Sequence, residues 1–144
     1  MIYTLKVRCV AGPYLEEECL RVIEVKKDTS LYSLHTAIQD AVDFDRDHLF
    51  DFYTANSASP YAQKQHLSEQ EKWEDRNDEL SSLTLEGIWP LGRRKLYYLF
   101  DFGDQWLFEI RKARGEKEVI KGTQYPRVIQ SIGPNPTQYP SHDD

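Results

Sequence analysis

The 144-residue chain has little of what marks a specialised class. It has two cysteines, Cys9 and Cys19, too few for a disulfide framework, and their spacing matches no common zinc pattern. Reduced thiols acting as small buried hydrophobes are the expected state, although two strands of one hairpin would make a cross-strand bridge geometrically possible. The longest uncharged apolar run, Leu96 to Phe100, is far short of the roughly 20 residues that span a bilayer. The opening Met-Ile-Tyr-Thr-Leu-Lys lacks a basic region followed by an apolar stretch, so the chain reads as cytoplasmic, unexported and without a membrane partner. Positive charge is also scarce. Eighteen Lys and Arg face 24 Asp and Glu, a net charge of −6 that disfavours general affinity for nucleic acid. No nucleophile-elbow serine, glycine-rich phosphate loop or cofactor motif is present, so no cofactor is expected.

What the chain does have is one domain's length, read as a single domain over residues 1–144, with 40% apolar and 12% aromatic residues to build a core. Tyr3, Leu5, Val7 and Cys9 alternate with Ile2, Thr4, Lys6 and Arg8, the two-residue period of a half-buried strand. Ala11-Gly12-Pro13 breaks it, and the run Cys19 to Val25 resumes it, giving a hairpin. Thr29 or Ser30 can cap a helix whose Leu31, Leu34, His35, Ile38, Ala41 and Val42 recur at helical spacing. His48 to Tyr53 reads as a third strand, with Phe50 and Phe52 opposite Asp51. Ser57 to Ser82 is a polar, acidic insertion, either a loop or a short solvated helix anchored by Trp73. Leu83 to Ile88 suggests one helical turn closed by Gly87. Lys95 to Phe102 and Trp106 to Lys112 predict a second hairpin, with Gly103 at positive φ in its turn. Val119-Ile120 is a further short strand candidate, and from about Tyr125 a Pro-rich tail extends over the surface. The fold class expected from these segments is α+β, a mixed sheet of about five strands with one main helix.

Asp101-Phe102-Gly103 spells the metal-binding tripeptide of protein kinases, but the glycine-rich loop, strand lysine and catalytic loop that must accompany it are missing. A hairpin turn accounts for the tripeptide. His48, Asp101 and Asp104 are residue types that hold a divalent metal, and Trp106 could offer a stacking plane; these four are the candidate partner or ligand surface. Ordinary turn hydrogen bonding by Asp104 and core packing by Trp106 compete with that role. His35 falls on the apolar helix face and reads as a buried neutral histidine bonded to backbone, while His66 and His142 lie in polar segments. Charge is uneven along the chain: residues 93–127 hold nine Lys or Arg against five Asp or Glu, net +4, leaving −10 elsewhere. Arg93-Arg94-Lys95 beside Tyr97 and Tyr98 has the basic and aromatic mixture used on single-stranded nucleic acid, and equally fits a solvated strand entrance.

Two segments carry a resemblance. Leu34 to Tyr53, LHTAIQDAVDFDRDHLFDFY, resembles the pattern "LH, helix, aromatic, HL, F", and Tyr98 to Ile110, YLFDFGDQWLFEI, resembles "YxYDFGDxWxHxI". Both are marks of the Ri-plasmid open-reading-frame-three-like proteins, also known as TnpR-type passenger proteins of insertion elements. The resemblance implies a hairpin, helix and strand order like the β-grasp, and no established reaction. The family histidine after the tryptophan is Phe108 here, so any site built on that histidine lacks it. Cys19-Leu20-Arg21 stands where the family usually has a tryptophan before paired arginines, and Ile132 to Pro136 replaces its acidic, cysteine-containing segment. The reading that follows is a non-enzymatic module with an unknown protein partner. The alternatives are a nucleic-acid-associated accessory protein of a plasmid or insertion element, and a metal-dependent hydrolase using His48, Asp101 and Asp104.

Overall fold

A computed structural model describes residues 1–45, 48–67 and 80–139. The elements run β1 (Ile2–Ala11), β2 (Leu20–Lys26), α1 (Leu31–Val42), β3 (Phe50–Ala55), β4 (Gln65–His66), a 3-10 turn (Leu85–Gly87), β5 (Lys95–Phe100), β6 (Trp106–Lys112) and β7 (Arg127–Ile132). All seven strands form one sheet in the order β4-β3-β5-β6-β1-β2-β7. Every pairing is antiparallel. The architecture is therefore mainly β, and it corrects the expected α+β, five-stranded, β-grasp-like arrangement. The helix and first hairpin do form, but β3 pairs with β5, Phe50 opposite Phe100, instead of joining that hairpin. Two strands that the sequence pattern did not disclose, β4 and β7, close the two edges. Val119 and Ile120 are exposed and outside any strand; Lys117 makes an isolated bridge to Ile2 in that region. The middle of the acidic insertion, including Trp73, lies outside the described residues, as does His142. Among the described residues, no helix is long and apolar enough to cross a membrane.

The helix starts where Ser30 Oγ accepts from the Ser33 amide at 3.1 Å, and Asp43, at φ 57°, ends it in the left-handed region. Its buried face, Leu31, Leu34, His35, Ile38, Gln39 and Val42, covers one face of the sheet. Register explains the core beneath it. Phe52, Tyr98 and Phe108 stand side by side across β3, β5 and β6, and Phe50, Phe100 and Trp106 form the next row. Neighbouring rings lie 4.8 Å (Phe52 to Tyr98) and 5.8 Å (Tyr98 to Phe108) apart. Such pairs add about 0.5–1.5 kcal/mol each beyond the area they bury. On the opposite face Tyr53 stacks on Tyr97 at 5.5 Å, with Ala55 and Leu107 beside them. Gly12 crosses directly over the Trp106 indole: a Cβ there would sit 2.1 Å from its Cε3, so only glycine lets the β1–β2 loop pass. Cys9 and Cys19 are buried free thiols on β1 and at the entrance to β2, and burial pushes Cys9 up to about 12 with help from the neighbouring Cys19, which makes it a poor nucleophile.

Arg21 joins three parts of the molecule. Buried, it donates to Ala41 O at the helix end (3.3 Å), Leu20 O (2.9 Å), Ile132 O in β7 (3.2 Å) and Asn135 Oδ1 (2.7 Å). None of these acceptors is ionised, so the cation is balanced by carbonyl dipoles, including those at the negative end of α1. Beyond β7 the chain stays attached, with the Gln138 side chain accepting from the Asp45 amide at 2.7 Å.

The β5–β6 turn differs from expectation in its detail. Gly103 is not at positive φ; Asp101 (63°) and Gln105 (58°) are. Asp101 Oδ1 accepts from the Gly103 and Asp104 amides at 3.1 and 3.2 Å, and the Gln105 amide donates to Asp101 O at 2.5 Å. Aspartate tolerates the left-handed region because its short side chain can bond locally in this way. Asp101→Ala should therefore cost about 1–3 kcal/mol in urea unfolding, from two lost caps and a strained φ, whereas Gly103→Ala should shift stability by less than about 0.5 kcal/mol. Equal effects of the two changes would contradict this turn geometry.

Glu24 on β2 supplies a pH-dependent contribution. Burial alone would raise its carboxyl, but hydrogen bonds and charge from Arg127 (2.7 Å) and Lys117 (3.2 Å) outweigh burial and hold it below the ordinary range. A carboxyl lowered in the folded state stabilises above its unfolded pKa and loses that contribution as pH falls through the folded value. Glu24→Gln should thus lower stability by about 1 kcal/mol at pH 7, trimmed by the solvent exposure of both cations, and the difference should close under acid. A gap that persists unchanged to pH 2 would show that the charge contributes nothing.

Candidate functional site

The β5–β6 hairpin has two ends, and the four sequence-predicted residues belong to its closed tip. His48 and Asp101 do meet there, with His48 Nε2 3.4 Å from Asp101 Oδ2. His48 also hydrogen-bonds the Tyr139 hydroxyl, which ties the C-terminal segment to the tip. The Asp104 amide belongs to the turn, and its side chain is only partly buried. Trp106 is fully buried in the core, packed at 5.1 Å against Phe44, and has no exposed face for stacking a ligand. Among the described residues, no group of three or more His, Cys, Asp or Glu is placed to hold a metal ion. The tip is thus a knot of acid, imidazole and phenol that fastens the tail, with Asp101 already committed to its own turn.

Two further polar groupings lie elsewhere. His35 bonds the Tyr98 hydroxyl, not backbone as expected; Gln39 Nε2 donates to the same hydroxyl at 3.0 Å, and His35 stacks on Phe50 at 3.7 Å. This network sits between helix and sheet. On the other sheet face, buried Asp51 holds His66 Nδ1 at 2.6 Å and so helps bring β4 to the edge of β3. Sequence reasoning assigned His66 no role; the available signal was an aspartate between Phe50 and Phe52, the one charged residue in an aromatic strand.

At the hairpin's open end, where β5 begins and β6 ends, lies an open groove of about 860 Å³. One wall is the 89–95 segment and the other is 110–116, with Tyr3 of β1 between them. Among the described residues, six cations line it, Arg93, Arg94, Lys95, Arg111, Lys112 and Arg114, against one acid, Glu116. Antiparallel pairing causes this convergence, because Leu96 opposite Ile110 places the basic stretch before β5 beside the basic stretch after β6. Some of these charges have local partners. Arg94 donates to Thr54 Oγ1 (3.0 Å) and Thr54 O (2.5 Å), which anchors its wall to β3. Lys112 Nζ lies over the Tyr3 ring, 4.6 Å from its centroid, and bonds Ala113 O and Gly115 O. Glu109 pairs with Arg111 at 2.5 Å and Lys95 at 3.9 Å. Even with Glu109 included, the groove keeps a net +4 in a chain of net −6. Tyr97 and Tyr98, the aromatics adjacent to the basic run in sequence, are fully buried and point away from this role; Trp89 and Tyr3 are the rings at the groove.

The crystal structure of a protein of unknown function from Methanosarcina mazei Go1 matches with a TM-score of 0.66 over 90% of this chain and 68% of that chain, at 22% identity, a likeness of fold alone. No curated protein matches the chain. The family model described as plasmid pRiA4b ORF-3-like protein matches residues 2–138. That match spans the whole sheet and both motifs that carry the resemblance, and the chain belongs to the plasmid pRiA4b ORF-3-like family.

Proposed function

We propose that this protein is a non-enzymatic binding module that holds an anionic partner in the basic groove at the open end of the β5–β6 hairpin. The observation that carries the reading is the gathering of six cations around one concavity of an otherwise acidic molecule. Like charges held this close repel one another, and an arrangement that costs folding energy is explained by a ligand that neutralises it. The candidate catalytic groups support the same reading from the other side. Asp101 caps a turn, His35 and Tyr98 satisfy each other in the core, and His48 fastens the tail. A partner protein presenting an acidic segment, or another polyanion, has the charge that complements this groove.

Retention on a heparin resin at pH 7 tests the proposal. The protein should be held at about 50 mM salt despite its net charge and should elute by about 300 mM, where screening shortens the reach of surface charges. Arg93→Glu with Arg114→Glu should pass straight through, while Asp104→Ser at the far tip should elute with the unaltered protein. Flow-through of the unaltered protein at low salt would end the proposal.

A further inference from the structure

Resting on that reading, we infer that the anionic partner is a single strand of nucleic acid, with phosphates on Arg93 and Arg114 and a base against Trp89. The two arginines follow from the hydrogen-bond pattern. Arg94, Lys95, Arg111 and Lys112 are already engaged by Thr54, Glu109 and backbone carbonyls. Arg93 and Arg114 make no hydrogen bond or ion pair with any described residue, and they stand on opposite walls. An entering anion can take both without breaking an existing contact. Guanidinium forks suit phosphate oxygens, which they bind in bidentate fashion.

The walls are not only charged. Trp89, Pro90 and Leu91 supply an apolar shelf, and the indole meets Tyr3 edge-on, centroids 6.3 Å apart at 87°, which fixes its plane. An inorganic anion or a run of carboxylates has no use for such a shelf, whereas a base stacks on one. Shape and charge then separate single from double strands. The groove is open at the surface, and its volume sits near the upper end of ordinary ligand pockets, roughly 300–1,000 Å³, enough for a few units of a flexible chain. A duplex is a rigid rod that would bring many more phosphates than the groove can hold against a protein of net charge −6. A flexible strand can place two or three phosphates in the groove and turn away.

The test uses the full chain and fluorescence anisotropy at about 50 mM salt with labelled eight-residue probes: oligo-dT, oligo-U and oligo-glutamate, with inorganic phosphate as competitor. Either or both oligonucleotides should bind, with a slope of log K against log salt between about −1.4 and −2.1, as expected for two to three neutralised phosphates on a single strand. Arg93→Ala with Arg114→Ala should weaken that binding at least tenfold with unchanged circular dichroism. Trp89→Ala should weaken oligonucleotide binding about tenfold while leaving heparin retention intact. Because Trp89 also packs against Tyr3, a second measurement guards against misfolding: ultraviolet cross-linking of the unaltered protein to oligo-dT, read by mass spectrometry. A cross-link on the 89–95 segment supports the inference, and one on the 101–106 tip overturns it. Oligo-glutamate binding as tightly as either oligonucleotide, or phosphate displacing both at low concentration, would overturn the inference and leave the anion-binding module standing. Failure of heparin and every probe to bind would remove both.

Discussion

The cross-strand aromatic rows of β3, β5 and β6 are the constraint on which the rest of the molecule depends. Phe52, Tyr98 and Phe108, with Phe50, Phe100 and Trp106 beside them, need a cover, and α1 provides it. Because strand side chains alternate, a one-residue slip of the β5–β6 pairing would turn every one of these rings toward the wrong face. Register is therefore strongly specified in the centre of the sheet. That same register decides what meets at each end of the hairpin, so the packing of the core and the placement of surface charge have a single origin.

The two ends have different chemistry. At the closed end Asp101 occupies a left-handed conformation and spends its carboxylate on the turn and on His48, and the C-terminal segment is held there through Tyr139 and Gln138. At the open end no turn is needed, and the strands diverge into two basic segments that the core holds side by side. A net charge summed over the whole molecule conceals such a patch: an acidic chain carries a local concavity lined mainly by cations.

Much of the centre was legible in the sequence, because alternation and helical spacing are read from neighbours. β1, β2, α1 and β5–β6 follow from Tyr3-Leu5-Val7, from Leu31-Leu34-Ile38 and from Tyr98-Phe100 facing Trp106-Phe108. The edges were not. β4 has two residues, Gln65 and His66, and exists through pairing with Tyr53 and Thr54 and the Asp51 carboxylate. β7 is exposed along its whole length, so its RVIQSI carries no burial pattern; Arg127 reaching Glu24 and Arg21 reaching Ile132 O hold it on β2. These are long-range polar contacts that no local period announces. At the candidate site, the sequence supplied the residues His48, Asp101, Asp104 and Trp106 but not whether they converge; the contact of His48 with Asp101, the burial of Trp106 and the capping role of Asp101 depended on the turn's geometry. The groove could have been found by carrying the hairpin register one step further, to Lys95 beside Arg111.

Family membership leaves the activity open, so the claim to be tested is one of place: that anions are bound at the open end of the hairpin. The most direct measurement is amide chemical-shift mapping of the labelled protein during titration with a short heparin oligosaccharide. Progressive shifts confined to residues 89–95 and 111–116, with the amides of 101–105 unmoved, are the predicted result. Shifts centred on the tip around His48 and Asp101, or none anywhere, would contradict it.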